Sequence, residues 1–245
     1  MKKVFEKTKG LTDAKTHYCP GCTHGIIHRI IAETLEEMEL LGKTIGVTPV
    51  GCAGFCERYF NCDMVGAAHG RASAVATGIK RARPDRIVFT YQGDGDLASI
   101  GSAEALHSAA RGERITVIFV NNAIYGMTGG QMAPTTLPEQ KTSTSPFGRS
   151  IEKAGFPLDM PRILAEIDGS AYIASGSIDS PKNILQAKKY IKKAFETQLS
   201  NKGFSFVSLL STCPTNWGMS PRDSINWLKE NMVPYYTLGE LKSWE

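Results

Sequence analysis

The chain has 245 residues, 42% hydrophobic and 21% charged, which is ordinary for a soluble globular protein able to bury one substantial core. Its formal net charge of +4 is small and its basic residues are scattered, which argues against nucleic acid as a partner. No apolar run approaches the roughly 20 residues of a membrane span. Residues 1–9 lack the apolar core of a secretory signal, so we expect a cytoplasmic protein without membrane contact.

Segments typical of helices and segments typical of strands alternate along the chain. Thr23 is a candidate cap for the first helix, whose apolar residues recur at helical spacing. Residues 86–91 and 115–120 are almost continuously apolar, as buried parallel strands tend to be. The alternation predicts an α/β fold with a mostly parallel, doubly wound sheet. The predicted helices cover residues 23–42, 70–81, 101–110 and 182–199, and the predicted strands cover residues 44–48, 86–91, 115–120, 171–175 and 204–210.

Two stretches interrupt this alternation. Residues 123–149 are rich in Gly, Pro, Thr and Ser and are too long for an ordinary connection, which is typical of a functional loop. The C-terminal stretch is aromatic-rich and packs either on a partner, as an arm, or on its own domain. We expect one domain over residues 1–245, with an N-terminal Cys-x-x-Cys segment and this C-terminal arm. The aromatic residues of the C-terminal stretch are Trp217, Trp227, Tyr235, Tyr236 and Trp244.

Polar residues follow two successive predicted strands. The first strand runs into Gly93-Asp94-Gly95, where the glycines permit a tight turn and Asp94 offers a hard carboxylate. The second ends in Asn121-Asn122. If the two parallel strands are neighbours, both turns lie side by side at the carboxyl edge of the sheet, where α/β folds bind ligands. A carboxylate, an amide oxygen and a backbone carbonyl, completed by phosphate oxygens and water, suit Mg²⁺.

Taken alone, each motif is usually just a turn or a cap. Together, in this order and spacing, they resemble the thiamine diphosphate signature found across that enzyme superfamily. The resemblance implies that Asp94, the side chain of Asn122 and the carbonyl of Ile124 are Mg²⁺ ligands. The residues that it places along the diphosphate are Gly93, Gly95, Asp96, Gly126 and Met127.

His69-Gly70-Arg71 precedes a predicted helix. A helix N-terminus offers free N–H groups and a partial positive charge, so it is a natural seat for phosphate. His69 could add a hydrogen bond to the cofactor, or it could be a solvated capping histidine.

The chain has six cysteines, and Cys19 and Cys22 form a tight Cys-x-x-Cys. This pattern alone fits a redox disulfide, a zinc knuckle or iron–sulfur ligands. A thioredoxin-like role is disfavoured because no strand precedes the pair. Oxidising a thiamine diphosphate adduct requires an electron acceptor, and nothing here resembles a flavin or nicotinamide site. A [4Fe–4S] cluster accepts single electrons and takes four thiolates.

Six segments together resemble the catalytic β-type subunit of 2-oxoacid:ferredoxin oxidoreductases: HYCPGC, VGCAGF, HGRASAVATGIK, QGDGDLASIG, NNAIYGMTGGQMAPTT and GFSFVSLLSTCPTNW. The resemblance covers residues 15–220. It implies that Gly51, Cys52 and Ala53 pass close to the cofactor and that Cys56 and Cys62 are ordinary thiols, although one of them could replace an assigned ligand. The implied [4Fe–4S] ligands are Cys19, Cys22, Cys52 and Cys213.

The family reaction is the coenzyme A-dependent oxidative decarboxylation of a 2-oxoacid, with electrons passed through the cluster to ferredoxin. The glutamate that activates the cofactor belongs to a different, pyrimidine-binding domain, and we see no such domain in this sequence. We therefore expect no catalytic residue in this chain, because the activating glutamate would come from a partner subunit. The expected assembly is a hetero-oligomer with an α-type subunit and with small γ and ferredoxin-like δ subunits.

The segments PVGCAGF and QMAPTT most resemble enzymes of the branched-chain, or 2-oxoisovalerate, type. Enzymes for 2-oxoglutarate come second and those for pyruvate third. Lys141 and Arg149 could meet a carboxylate or coenzyme A, although a solvated loop charge is the simpler interpretation of each. Two rival functions stay open from the sequence: a non-oxidative thiamine diphosphate decarboxylase, and a non-enzymatic Cys₄ metal-binding assembly subunit.

Overall fold

A computed structural model describes residues 6–244, so the first five residues of the segment 1–9, expected to carry no secretory signal, lie outside the described part. Within that part, one sheet has the strand order β2-β1-β3-β4-β6-β5-β7. Every neighbouring pair is parallel except β5 and β7, which confirms the predicted α/β class. The strands are β1 (Thr44–Thr48), β2 (Asp63–Gly66), β3 (Ile87–Gly93), β4 (Thr116–Asn121), β5 (Ser170–Ser177), β6 (Phe204–Leu210) and β7 (Gly239–Lys242).

Helices cover both faces of the sheet. Those of the described chain are α1 (His24–Glu37), α2 (Ala72–Ala82), α3 (Ser102–Ala110), α4 (Ile151–Ala154), α5 (Met160–Ala165), α6 (Pro181–Leu199), α7 (Pro214–Trp217), α8 (Pro221–Trp227) and α9 (Val233–Tyr235), with 3₁₀ turns at Leu41–Lys43 and Cys52–Arg58 and π-helical turns at Asp94–Ile100 and Leu228–Met232.

The central strands are buried along almost their whole length because each face of the sheet has its own core. In β4, Ile118 and Val120 pack with α1 and α6 on one face. Val117 and Phe119 point to the opposite face and pack with α2, α3 and α5. Alternate side chains of a strand point to opposite faces, so a strand covered on both sides is buried throughout and is mostly apolar. Its few polar side chains need partners inside the sheet, as Thr116 and Ser205 show with hydroxyl oxygens 3.0 Å apart.

The first helix is shorter than the sequence predicted. It ends at Glu37, and Glu39 takes a left-handed conformation (φ 56°) before the 3₁₀ turn. Thr23 does not cap it through its side chain, because its hydroxyl is 2.6 Å from Ser211 Oγ. That bond instead joins the Cys-x-x-Cys segment to the end of β6.

The C-terminal aromatic stretch packs on its own domain, the second of the two expected possibilities. Strand β7 pairs with β5, and Trp244 Nε1 donates to Thr197 Oγ1 at 2.9 Å. Trp217 and Trp227 pack on a third apolar cluster that contains Leu210. No helix among residues 6–244 has the length and apolar character needed to cross a membrane.

Candidate functional site

The two polar turns lie side by side at the carboxyl edge of the sheet. Strands β3 and β4 are direct neighbours with Gly93 opposite Val120, so the residues that follow each strand meet. The buried Asp94 carboxylate accepts a hydrogen bond from the Asn122 backbone N–H at 2.9 Å. Its other oxygen accepts from the Thr135 hydroxyl. Thr135 lies in the long loop, within the segment NNAIYGMTGGQMAPTT, but the sequence assigned no role to it.

Three potential metal ligands converge beside Asp94. One terminal atom of the Asn122 amide lies 2.8 Å from Asp94 Oδ2 and 2.7 Å from the Ile124 carbonyl oxygen. If that atom is nitrogen, it donates to both oxygens. If it is oxygen, it is in contact with two other oxygens, and oxygen is the donor atom that Mg²⁺ prefers. The donor types of the predicted ligand set therefore fit Mg²⁺.

The charge state of Asp94 also fits a cation site. Burial raises the pKa of this carboxyl to about 7, and the hydrogen bonds from Thr135 and Asn122 counter only part of that effect. A buried carboxylate of this kind is stabilised in its charged form when a cation binds it.

A cavity of about 460 Å³ opens beside these turns. Every residue that the sequence assigned to the thiamine diphosphate and Mg²⁺ site contributes to its wall. Sequence reasoning missed six lining residues, of which Val50, Ile100, Tyr125 and Thr128 neighbour assigned motifs. The assigned residues of the wall are Gly51, Cys52, Ala53, His69, Gly93, Asp94, Gly95, Asp96, Asn122, Ile124, Gly126 and Met127.

Asp96 ties together the segments that form this cavity. Its Oδ1 accepts from the backbone N–H groups of Val50 at 3.0 Å and Gly70 at 2.9 Å, and it lies 2.8 Å from His69 Nδ1. Its Oδ2 accepts from Gln92 Nε2 at 2.7 Å. The carboxylate of Asp96 is thus occupied by the protein itself, so its role at a diphosphate is to hold the surrounding loops.

Two of the four assigned thiols, Cys52 and Cys213, lie beside Gly126. A Cβ built on Gly126 would lie 3.1 Å from Cys52 Sγ and 3.7 Å from Cys213 Sγ. Burial, followed by the neighbouring thiols, raises the pKa of Cys52 to about 11. Burial likewise raises the pKa of Cys22 to about 12, again with contributions from the other three thiols, including the exposed Cys19. Raised pKa values keep these thiols protonated near neutral pH, and a metal bound there would favour their thiolate forms.

No group of three or more His, Cys, Asp or Glu side chains in residues 6–244 is arranged to hold a single metal ion. A [4Fe–4S] cluster differs from such a site because each thiolate binds a different iron, so its ligands stand further apart.

Cys56 and Cys62 lie apart from this group. Cys56 is fully buried in the core beneath α1, and burial raises the pKa of its thiol. Cys62 packs against the same core and donates to Met64 Sδ at 3.7 Å. These contacts favour structural roles for both cysteines.

Arg149 is neither a solvated loop charge nor placed to meet a ligand, which corrects both interpretations of this residue. Its side chain is buried and donates to six backbone carbonyls at 2.9–3.2 Å. It therefore holds the long loop together, whereas Lys141 is exposed, as expected of a solvated charge. The accepting carbonyls belong to Ala133, Pro134, Thr136, Ala154, Gly155 and Phe156.

His24 lines the cavity and has a titratable side chain, but sequence reasoning missed it. Its Nδ1 lies 2.5 Å from the Tyr91 hydroxyl, and its ring stacks on Tyr18. Burial lowers the pKa of His24 to about 4, so the ring is neutral. A histidine at the start of an apolar helix gives no signal in the sequence that distinguishes it from a core residue.

Comparisons with known proteins agree with this geometry. Residues 49–209 match the family described as thiamine pyrophosphate enzyme, C-terminal TPP binding domain. The chain is 48% identical, over 94% of its length, to the ketoisovalerate oxidoreductase subunit VorA of Methanothermobacter thermautotrophicus, but it spans only 48% of that subunit. It is 39% identical, over 88% of its length, to the 2-oxoglutarate synthase subunit KorB of Methanocaldococcus jannaschii and covers 78% of it.

The fold also matches a solved enzyme structure. It superposes on the 2-oxoglutarate:ferredoxin oxidoreductase from Magnetococcus marinus with a TM-score of 0.77 and 27% identity, covering 93% of this chain and 74% of that one. The Magnetococcus structure contains 2-oxoglutarate, coenzyme A and succinyl-CoA. On the family match and the coverage of KorB, the chain belongs to the thiamine-diphosphate-binding subunits of the 2-oxoacid:ferredoxin oxidoreductases.

Proposed function

We propose that this chain is the cytoplasmic β-type subunit of a 2-oxoacid:ferredoxin oxidoreductase that converts a 2-oxoacid and coenzyme A into acyl-CoA and CO₂. In this proposal it holds thiamine diphosphate, Mg²⁺ and a [4Fe–4S] cluster and passes electrons to ferredoxin. The observation that carries the proposal is the position of Gly126. A Cβ there would lie within 4 Å of both Asn122 Nδ2 and the thiols of Cys52 and Cys213, so the cation site adjoins the thiol group.

The cofactor half of the proposal rests on the cavity and its oxygens. Bound thiamine diphosphate supplies an electron sink for decarboxylation. Asp94, Asn122 and the Ile124 carbonyl would hold the Mg²⁺ that neutralises the diphosphate, while Asp96 keeps His69 and the segment after β1 in place. Gly51, with φ 127°, allows the backbone a conformation close to the cofactor that side chains rarely adopt.

The redox half rests on Cys19, Cys22, Cys52 and Cys213. A bound cluster accepts one electron at a time. The two electrons of an oxidative decarboxylation would therefore leave in two steps. Cys52 lines the cavity and also faces Gly126, so it would bring the cluster next to the cofactor.

A partner subunit completes the site in this proposal. Val50, Ile100 and Met127 line the cavity yet are 45%, 50% and 49% exposed, an apolar rim that a second protein surface would cover. The α-type subunit would supply the activating glutamate, and small γ and ferredoxin-like δ subunits would carry electrons onward. The chain spans about half the length of the VorA relatives, so the full assembly belongs to the proposal.

For the substrate we propose a branched-chain 2-oxoacid, with 2-oxoisovalerate first. The support is the 48% identity to a ketoisovalerate oxidoreductase subunit, against 39% to a 2-oxoglutarate synthase subunit. 2-Oxoglutarate and then pyruvate are the alternatives.

Anaerobic purification with the partner chains tests the proposal. We expect about four irons per chain, absorbance near 400 nm, and viologen-dye reduction that requires both a 2-oxoacid and coenzyme A. The chain without its partners should bind thiamine diphosphate but not turn over. A colourless zinc protein that decarboxylates without an acceptor would favour the non-oxidative enzyme, and normal activity of an assembled Asp94→Ala complex would favour the assembly subunit.

A further inference from the structure

One side chain touches both the thiol group and the cofactor loop. Asn216 Nδ2 lies 2.7 Å from the Gly126 carbonyl oxygen and 3.3 Å from Cys213 Sγ. The amide nitrogen carries two hydrogens, so it can donate to both atoms at once. Asn216 thus bridges the proposed cluster ligand Cys213 and the proposed diphosphate contact Gly126.

The local fold explains why this bridge forms. Helix α7 begins at Pro214 directly after Cys213, so Asn216 occupies the third helical position and its side chain reaches back over the cysteine. Gly130, with φ 78°, passes so close that a Cβ there would lie 3.1 Å from Asn216 Cβ. The amide is therefore held between α7 and the turn over residues 126–130, with little room for another rotamer.

A hydrogen bond to a cluster thiolate has a known electrostatic consequence. Reduction adds one electron to the cluster, from the 2+ to the 1+ state, without any proton or bond change. An N–H group directed at the sulfur stabilises the added negative charge and raises the reduction potential. Among the described residues, the side chain of Asn216 donates a hydrogen bond to one of the four assigned thiols, that of Cys213.

We propose that Asn216 is a positioning residue that raises the reduction potential of the cluster and makes that potential depend on thiamine diphosphate. The dependence follows from Gly126, whose carbonyl shares the Asn216 amide with Cys213, because a cofactor held by this turn would alter how the amide is shared. The inference rests on the proposed function, since it requires the cluster and the cofactor.

The test is a reductive titration of the whole anaerobic complex, followed by the electron paramagnetic resonance of the cluster, with and without thiamine diphosphate and Mg²⁺. Asn216→Leu keeps the branching at Cγ and removes the donor. We expect it to disfavour reduction at least tenfold, which is about 59 mV for one electron. We also expect the cofactor to shift the potential in the wild type but not in the variant. Exposed Asn226→Leu is the matched control.

Two further results decide between the inference and the proposed function. Asn216→Asp is isosteric and replaces the donor with a negative charge, so it should lower the potential further and serves if the leucine variant does not fold. Full iron content with an unchanged potential in the folded variants would overturn the inference alone, as would a wild-type potential that ignores the cofactor. A wild-type complex without iron or a cluster signal would overturn the proposed function instead.

Discussion

Asp94→Asn should stabilise the metal-free protein while removing its cofactor binding. The burial that raises the pKa of Asp94 to about 7, from an ordinary 3.8, means that the native state holds this proton more tightly than the unfolded chain. Native stability is therefore lost as pH rises between these two values. Each pKa unit is about 1.4 kcal/mol, so burying this carboxyl lowers native stability by roughly 2 kcal/mol at pH 5, where folding must protonate it, and by about 4 kcal/mol at pH 8.

An asparagine at position 94 avoids this cost. Its amide oxygen can accept from the Asn122 N–H, and its amide nitrogen can donate to the Thr135 hydroxyl, which is able to accept as well as donate. The variant should therefore exceed the wild type in free energy of unfolding, with a difference that grows by about 2.7 kcal/mol from pH 5 to pH 8.

Binding of the cofactor should reverse this order of stability at pH 5, so that the wild type becomes more stable than the variant. At a hundredfold excess over the dissociation constant, thiamine diphosphate with Mg²⁺ adds about 2.7 kcal/mol to the wild type. It should add nothing to Asp94→Asn, which cannot supply the anionic ligand. Urea unfolding at both pH values, with and without ligand, measures each term. Exposed Asp168→Asn is the control. An equal pH dependence in wild type and variant would refute the burial argument, and Mg²⁺-dependent cofactor binding by the variant would refute the metal assignment.

Three shorter predictions concern the loop and the thiols. Arg149→Lys should lower the free energy of unfolding by about 2–4 kcal/mol, since three donors cannot satisfy six buried carbonyls; urea midpoints check this, and an unchanged midpoint would contradict the clamp. Gly126→Ala should lose iron because its Cβ would lie 3.1 Å from Cys52 Sγ, while the circular dichroism of the sheet persists. Cys56→Ser should keep about four irons and Cys22→Ser should not; iron analysis giving the reverse would show that the ligand assignment is wrong.

The sheet was predictable wherever burial imposes a continuous apolar run. Strand β6 has the predicted bounds, 204–210, because both of its faces are covered. Strand β2 escaped prediction because it is a short edge strand and is mostly exposed, so no apolar pattern marks it. Strand β7 escaped for a similar reason, since its pairing with β5 depends on the chain returning from a distant segment.

The residues that line the cavity were predictable only where they form short motifs of adjacent residues. Asp94 and Asn122 could be predicted because glycines and amides follow directly after two apolar strands. Thr135 reaches Asp94 from 41 positions away, through a loop whose path is set by Arg149. Such contacts depend on tertiary structure, and neither the hydroxyl nor the guanidinium has a local pattern that reveals its partner.

The four hydrogen bonds accepted by Asp96 have a thermodynamic consequence for cofactor uptake. They anchor Val50, His69 and Gly70 through contacts within the protein alone, so these walls are preorganised before any ligand arrives. Binding then loses little conformational entropy in ordering loops, and a heat-capacity change should report only the apolar surface that the cofactor covers. Exchange of cofactor would accordingly be governed by uncovering the cavity mouth rather than by local unfolding.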